Sequence, residues 1–207
     1  MTSERTEDRL VAVVVTSSMS AGAPPGIDPG SFLTAVVEDT YELVSTLDFV
    51  TPVLVTSVPG MEEVVWPGTP VLEIPELSGA PLVRAAFEVV SAAAPYAGQV
   101  VLLSGDAPDL PPLLIGKLFR ALGSAGLAVC PAVEGGVVAI ATRTPWPDWA
   151  EIGFDDPEPV RTLRTLAPAS WRVATGPGWH RLRAPADVHR LDPGLEGWDN
   201  TRALLSV

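Results

Sequence analysis

Two short acidic segments carry residue types suited to chemistry on a charged or hydroxylated ligand: Ser104-Gly105-Asp106-Ala107-Pro108-Asp109 and Glu134-Gly135-Gly136. Two carboxylates three residues apart, such as Asp106 and Asp109, can hold a divalent cation or a sugar hydroxyl. The glycine lets the backbone come close to a ligand, and the proline stiffens the turn. Asp109 has a second reading, as the cap of the helix that follows. Gly135-Gly136 also reads in two ways, as a close-approach turn around a ligand or as a tight turn between strands.

The elements that must position these residues follow from hydropathy. Val100 to Leu103 is a continuous aliphatic run, the pattern of a strand buried on both faces of a parallel sheet, and such sheets bind ligands beyond the carboxyl ends of their strands. Asp106 stands at such an end. Upstream, Leu10–Thr16 reads as a first buried strand, residues 17–26 as a flexible loop of small residues, and Asp28-Pro29 as the start of a helix reaching about Leu47. Strands over Phe49–Ser57 and Val71–Ile74, a helix over Pro81–Ala94, a strand over Gln99–Leu103, a helix over Pro111–Leu122 and a strand over Leu127–Pro131 continue the alternation. Val137–Thr142 is expected to run antiparallel, because its connection is too short for a crossover. These elements predict a three-layer α/β/α sandwich with a mixed, mostly parallel sheet.

The 207 residues suffice for one domain, with residues 10–143 as its α/β core and residues 144–207 as a tryptophan-rich extension packed on it. In the extension, helices are expected over Pro157–Leu166 and Pro185–Leu191, with a strand near Trp171–Ala174. Five of the six tryptophans fall there, and they read as core filling, a lid or a homodimer interface.

Composition excludes several function classes. With 25 Asp and Glu against 13 Lys and Arg, and Lys117 the sole lysine, the chain would repel DNA or RNA. No apolar run reaches the ~18 residues of a membrane span, and the polar MTSERTEDRL start lacks a signal pattern, so a soluble cytoplasmic protein is expected. Cys130, the only cysteine, reads as a buried, inert thiol. The two histidines, His180 and His189, lie in the extension, and no nucleophile elbow, phosphate loop or dinucleotide fingerprint is present.

The order of these segments resembles the glycosyltransferase A-like nucleotide-diphospho-sugar transferase superfamily over residues 10–192, and within it the bacterial group related to 2-phospho-L-lactate guanylyltransferase. Residues 104–111 are similar to that group's Gly-Ser-Asp-Ser-Pro-Asp-Leu block, and residues 131–136 to its Pro-x-x-Asp-Gly-Gly block. The resemblance implies that the sheet edge binds a nucleotide or sugar nucleotide, and that Asp106 coordinates Mg²⁺ or Mn²⁺. Glu134-Gly135-Gly136 would then wrap the small-molecule acceptor or sugar side of the cleft, and in a transferase Asp109 and Glu134 would orient the substrate beside Gly105, while backbone amides of Ser17, Ser18 and Gly22 could hold part of the phosphate charge.

Two departures stand against the pattern. The loop after the first strand, where relatives carry cations, has none. Near the C-terminus, Arg181-Leu182-Arg183-Ala184-Pro185-Ala186-Asp187 puts arginines where an acidic block is expected. Arg181 or Arg183 either supplies the missing phosphate-binding charge or is a solvated surface residue. The sequence thus leaves two functions open: metal-dependent nucleotidyl or glycosyl transfer, or a catalytically degenerate binding or assembly protein on the same fold.

Overall fold

A computed structural model describes residues 8–206; the polar residues 1–7 and Val207 lie outside the described residues. The chain alternates β1 (Asp8–Val15), α1 (Pro29–Ser45), β2 (Thr51–Thr56), β3 (Val71–Glu73), α2 (Gly79–Ala93), β4 (Ala97–Ser104), α3 (Pro112–Ala121), β5 (Leu127–Pro131), β6 (Val137–Arg143), α4 (Pro159–Leu166), β7 (Val173–Thr175) and α5 (Asp199–Leu205). One seven-stranded sheet has the order β3-β2-β1-β4-β6-β5-β7. Its strands are parallel except β6, which is antiparallel to both β4 and β5.

The aliphatic strands bury both faces. On β1, Val11, Val13 and Val15 pack with α1 and α3, while Leu10, Ala12 and Val14 pack with α2. Three layers follow, because neither sheet face can be left to water. Asp28 caps α1 by accepting a hydrogen bond from the Ser31 amide at 2.8 Å.

Two features bring distant residues to the carboxyl ends of β1 and β4. β6 pairs with β4 through Leu103 and Ala139, so its first residues, just after Gly135-Gly136, lie beside the end of β4. After β7 the chain runs back along that same edge: Ala132 bridges to Trp179, and the Leu182 amide donates to the Asp106 carbonyl at 2.8 Å.

Several sequence expectations are corrected here. Residues 17–26 are not simply a flexible loop, because Ser17–Gly22 forms a 3-10 turn that buries Met19 and Gly22. An ideal Cβ at Gly22 would lie 2.3 Å from the Leu182 carbonyl oxygen, so the glycine lets this turn pack against the returning chain. Residues 185–191 form a 3-10 turn, Pro185–Arg190, and not an α-helix. The terminal helix α5 was not foreseen. Its short run is anchored from outside, by the Asp39 carboxylate of α1, which accepts the Asn200 and Thr201 amides at 3.0 and 2.7 Å. The tryptophans divide: Trp146 and Trp198 are buried, whereas Trp171 is exposed.

Candidate functional site

At the end of β4 a cleft of about 420 Å³ opens between the 3-10 turn Ser17–Gly22, the β5–β6 turn and the segment 181–187. Asp106, Glu134, Arg181 and Arg183 all line it, so the sequence-predicted acidic segments and arginines do come together. Asp187, the one carboxylate left in the segment 181–187, also lines it, as does Asp155, which the sequence did not single out.

Asp106 is almost fully buried, and Arg181 grips it with two parallel bonds: Nε donates to Oδ1 at 2.7 Å and Nη2 to Oδ2 at 2.9 Å. Ser104 Oγ also donates to Oδ1, at 2.7 Å, and fixes the carboxylate plane. The remaining nitrogen of Arg181, Nη1, donates to Phe154 O and to Asp155 Oδ1, each at 2.9 Å, and more weakly to Val137 O at 3.4 Å. Burial opposes the charge on this guanidinium, but Asp106 and Asp155 beside it raise its pKa above the ordinary arginine value.

Asp109 is equally buried and fully engaged. It accepts from Trp179 Nε1 at 3.0 Å and from the Asp192 amide at 3.0 Å, and His180 Nε2 lies 2.9 Å from its Oδ1. It does not cap α3, whose N-terminus is opened by Pro111-Pro112 without a side-chain cap. These bonds tie the returning segment 179–192 to the sheet edge, and Asp109 is not among the residues that line the cleft.

The other positions are placed as follows. Glu134 pairs with Arg190, and its carbonyl accepts from Arg183 Nη2 at 3.3 Å. Gly135 and Gly136 both take left-handed backbone conformations, with φ of 84° and 94°, and an ideal Cβ on Gly136 would meet the Phe154 carbonyl oxygen at 2.6 Å. They close a tight turn that brings Phe154 and Asp155 beside the arginines. Gly105 packs against β1, its amide donating to Val14 O at 2.9 Å. Ser18 shares a hydrogen bond with Thr16 at 2.9 Å. Ser17 Oγ donates to Glu76 Oε1 at 3.0 Å, and Ser57 Oγ donates to Glu76 Oε2, so a carboxylate stands against the turn where phosphate was expected. Asp187 accepts from the Arg183 and Ala184 amides at 3.0 and 2.8 Å.

The cleft lining therefore combines four carboxylates, Asp106, Glu134, Asp155 and Asp187, with two guanidiniums, Arg181 and Arg183. Among the described residues, no group of three or more His, Cys, Asp or Glu side chains is arranged to hold a metal ion. Both oxygens of Asp106 are already bonded to Arg181, so the donor set present does not fit a divalent ion at that position. Cys130 is buried away from the cleft, donates to Pro177 O at 3.1 Å, and has its thiol pKa pushed up to about 12 by burial. It is inert as a nucleophile. No helix of the described residues is long and apolar enough to cross a membrane.

A family model described as "uncharacterized protein conserved in bacteria (DUF2064)" matches residues 79–152, the stretch from α2 through β6 into the following loop. No curated protein matches the chain. Solved structures share its fold across nearly its whole length. A protein from Desulfovibrio desulfuricans G20, provisionally named a nucleotide-diphospho-sugar transferase, superposes with a TM-score of 0.67 at 17% identity and covers 96% of each chain. A nucleotidyl transferase from Methanothermobacter thermautotrophicus gives 0.57 at 13% identity, covering 95% of this chain and 98% of its own. The Rv0371c protein of Mycobacterium tuberculosis H37Rv, crystallised in complex with manganese, gives 0.55 at 18% identity, covering 97% of this chain and 99% of its own. At these identities the likeness is one of fold: this chain has the nucleotide-diphospho-sugar transferase-like architecture.

Proposed function

We propose that this chain, built on the nucleotide-diphospho-sugar transferase fold, is a small-molecule binding protein in which the metal-dependent nucleotidyl or glycosyl transfer expected of that fold has been lost. The observation that carries this reading is the buried bidentate pair of Arg181 and Asp106. A carboxylate whose two oxygens are held by a guanidinium is unavailable to a cation, and the arginine cannot be deprotonated to release it.

The charge of the cleft narrows the ligand. A nucleoside triphosphate would meet a carboxylate surplus in the lining, Glu76 at the first turn and a net charge of −12 on the chain. Paired carboxylates and guanidiniums suit hydroxyl groups instead, which both accept and donate. The reading therefore favours a ligand rich in hydroxyls and poor in phosphate, such as the sugar end of a sugar nucleotide or a free polyol.

The test is a thermal-shift and calorimetric panel of sugars, sugar nucleotides and nucleoside triphosphates, each with manganese and with chelator, alongside product assays. A ligand at 100 times its Kd should raise stability by about 2.7 kcal/mol. The expected result is stabilisation that chelator does not reduce, without turnover. Manganese-dependent turnover of any nucleotide would overturn the proposal, and so would a panel in which nothing binds.

One observation favours a second reading. Arg183 is less committed than Arg181, with a 3.3 Å bond to Glu134 O and a 3.8 Å approach to Asp155, and its side chain retains about a third of its exposure. A guanidinium so placed can clamp a phosphate, which suits transfer without a metal. Turnover that survives chelator would select this reading.

A further inference from the structure

We infer that the outward faces of α1 and α3 form a self-complementary docking surface, and that a second copy of this chain is the partner that covers it. None of the residues on these faces lines the cleft, so the inference does not depend on what the cleft binds.

Both helices pack on the same side of the sheet, through Val37 and Val44 of α1 and Ile115 and Leu118 of α3. What they turn outward differs in charge. From Thr34 to the end of α1, the residues that keep solvent exposure are Thr34, Glu38, Glu42 and Ser45, an acidic stripe at helical spacing. On α3 the outward positions Leu113, Gly116, Lys117 and Arg120 stand at i, i+3, i+4 and i+7, a stripe of one apolar side chain, one glycine and two cations. The two stripes are neighbours. Phe49, just beyond the end of α1, lies 4.0 Å from an ideal Cβ at Gly116 and packs edge-on to Phe119, with ring centroids 6.3 Å apart.

Leu113 is 66% exposed and Phe49 44%, so two large apolar side chains flank Gly116 on one face instead of lying scattered. Glycine weakens a helix interior relative to alanine, and an alanine would fit at 116, since the nearest atom beyond the helix's own turns is Phe49 Cζ at 4.0 Å. What glycine provides there is a flat saddle for the close approach of a second helix. The charges are also unanswered within the chain. Among the described residues, none of Lys117, Arg120, Glu38 and Glu42 forms an ion pair, although acidic residues outnumber basic ones 25 to 13 along the sequence. Partial burial, and then the charges of Glu38, Asp39 and Asp199, raise the pKa of Glu42, so cations from outside would relieve this stripe. A partner with one sign of charge would satisfy one helix and repel the other. A second copy satisfies both, because a two-fold axis lays α3 of each copy on α1 of the other.

The test is analytical ultracentrifugation of the full-length chain at low salt, as wild type, as Lys117→Glu/Arg120→Glu and as Glu38→Lys/Glu42→Lys. Wild type is expected to dimerise. Each reversed variant presents like charges on both helices, so its dimer dissociation constant should rise at least ~10-fold while its circular dichroism is unchanged. The decisive arm mixes the two variants: both helix contacts regain opposite charges in the mixed pair, so a heterodimer should form with about the wild-type affinity. Should a double variant not fold, the milder pair Lys117→Glu and Glu38→Lys makes the same comparison. A wild-type chain that stays monomeric at ~100 μM would overturn the inference. So would a dimer indifferent to both reversals, as one built on the exposed Trp171 would be, or a mixture that stays monomeric. None of these readouts involves ligand or turnover, so the inference and the proposed function fail separately.

Discussion

Asp106 and Asp109 sit three residues apart, both buried, and their fates diverge because of what the returning chain presents to each. Asp106 meets a guanidinium, whereas Asp109 meets an indole N–H, an imidazole and a main-chain amide. The position of Asp106 at a strand end was legible in the aliphatic run before it and the Gly-Asp-Ala-Pro turn after it. Its partner was legible only as a departure from the pattern of the superfamily that the sequence resembles, since Arg181 is 75 residues away and no local pattern links the two. The same distance hid the role of Asp109. Replacing Asp109 by alanine strands the part-buried Trp179 indole and Asp192 amide donors at once, and the expected cost is roughly 2 kcal/mol, read as a drop in the free energy of urea unfolding. A loss below about 1 kcal/mol would show that Asp109 does not anchor the segment.

At the scale of elements, strands were the most readable part of the chain, because a strand buried on both faces must be uniformly apolar. The antiparallel direction of β6 was readable too, from the short link after β5, and it is this reversal that carries Gly135-Gly136 to the end of β4. A helical segment was readable at residues 185–191 though not its 3-10 form, whereas the 3-10 turn Ser17–Gly22 and α5 were not readable, since their stability comes from contacts with other elements. Asp39 holds α5 to α1 and has a pH signature. Burial raises its pKa above the ordinary 3.8, outweighing the hydrogen bonds from Thr201 and Asn200 that lower it. The folded state therefore holds this proton more firmly than the unfolded chain does. The stabilising contribution is complete below the ordinary value and is lost as pH rises through the folded pKa. In unfolding measurements from about pH 4 to pH 7, the stability of wild type relative to Asp39→Asn should fall with rising pH. A difference that stays flat or grows would contradict the burial account.

At the scale of the molecule, the sheet order places one cleft at the end of the central strands, where an α/β sheet is expected to bind a ligand. The fold class and the location of the cleft followed from the sequence because both depend on hydropathy and chain order. The chemistry of the cleft did not follow, because a family motif fixes where a carboxylate stands but not what it pairs with. The central claim is that Asp106 is committed to Arg181 and holds no metal. It is tested most directly by crystals of the wild-type protein grown with manganese, using the anomalous scattering of the ion. The predicted result is an intact Arg181–Asp106 pair with no anomalous peak beside it. A manganese peak within about 2.6 Å of the Asp106 carboxylate, with the guanidinium displaced, would contradict the account.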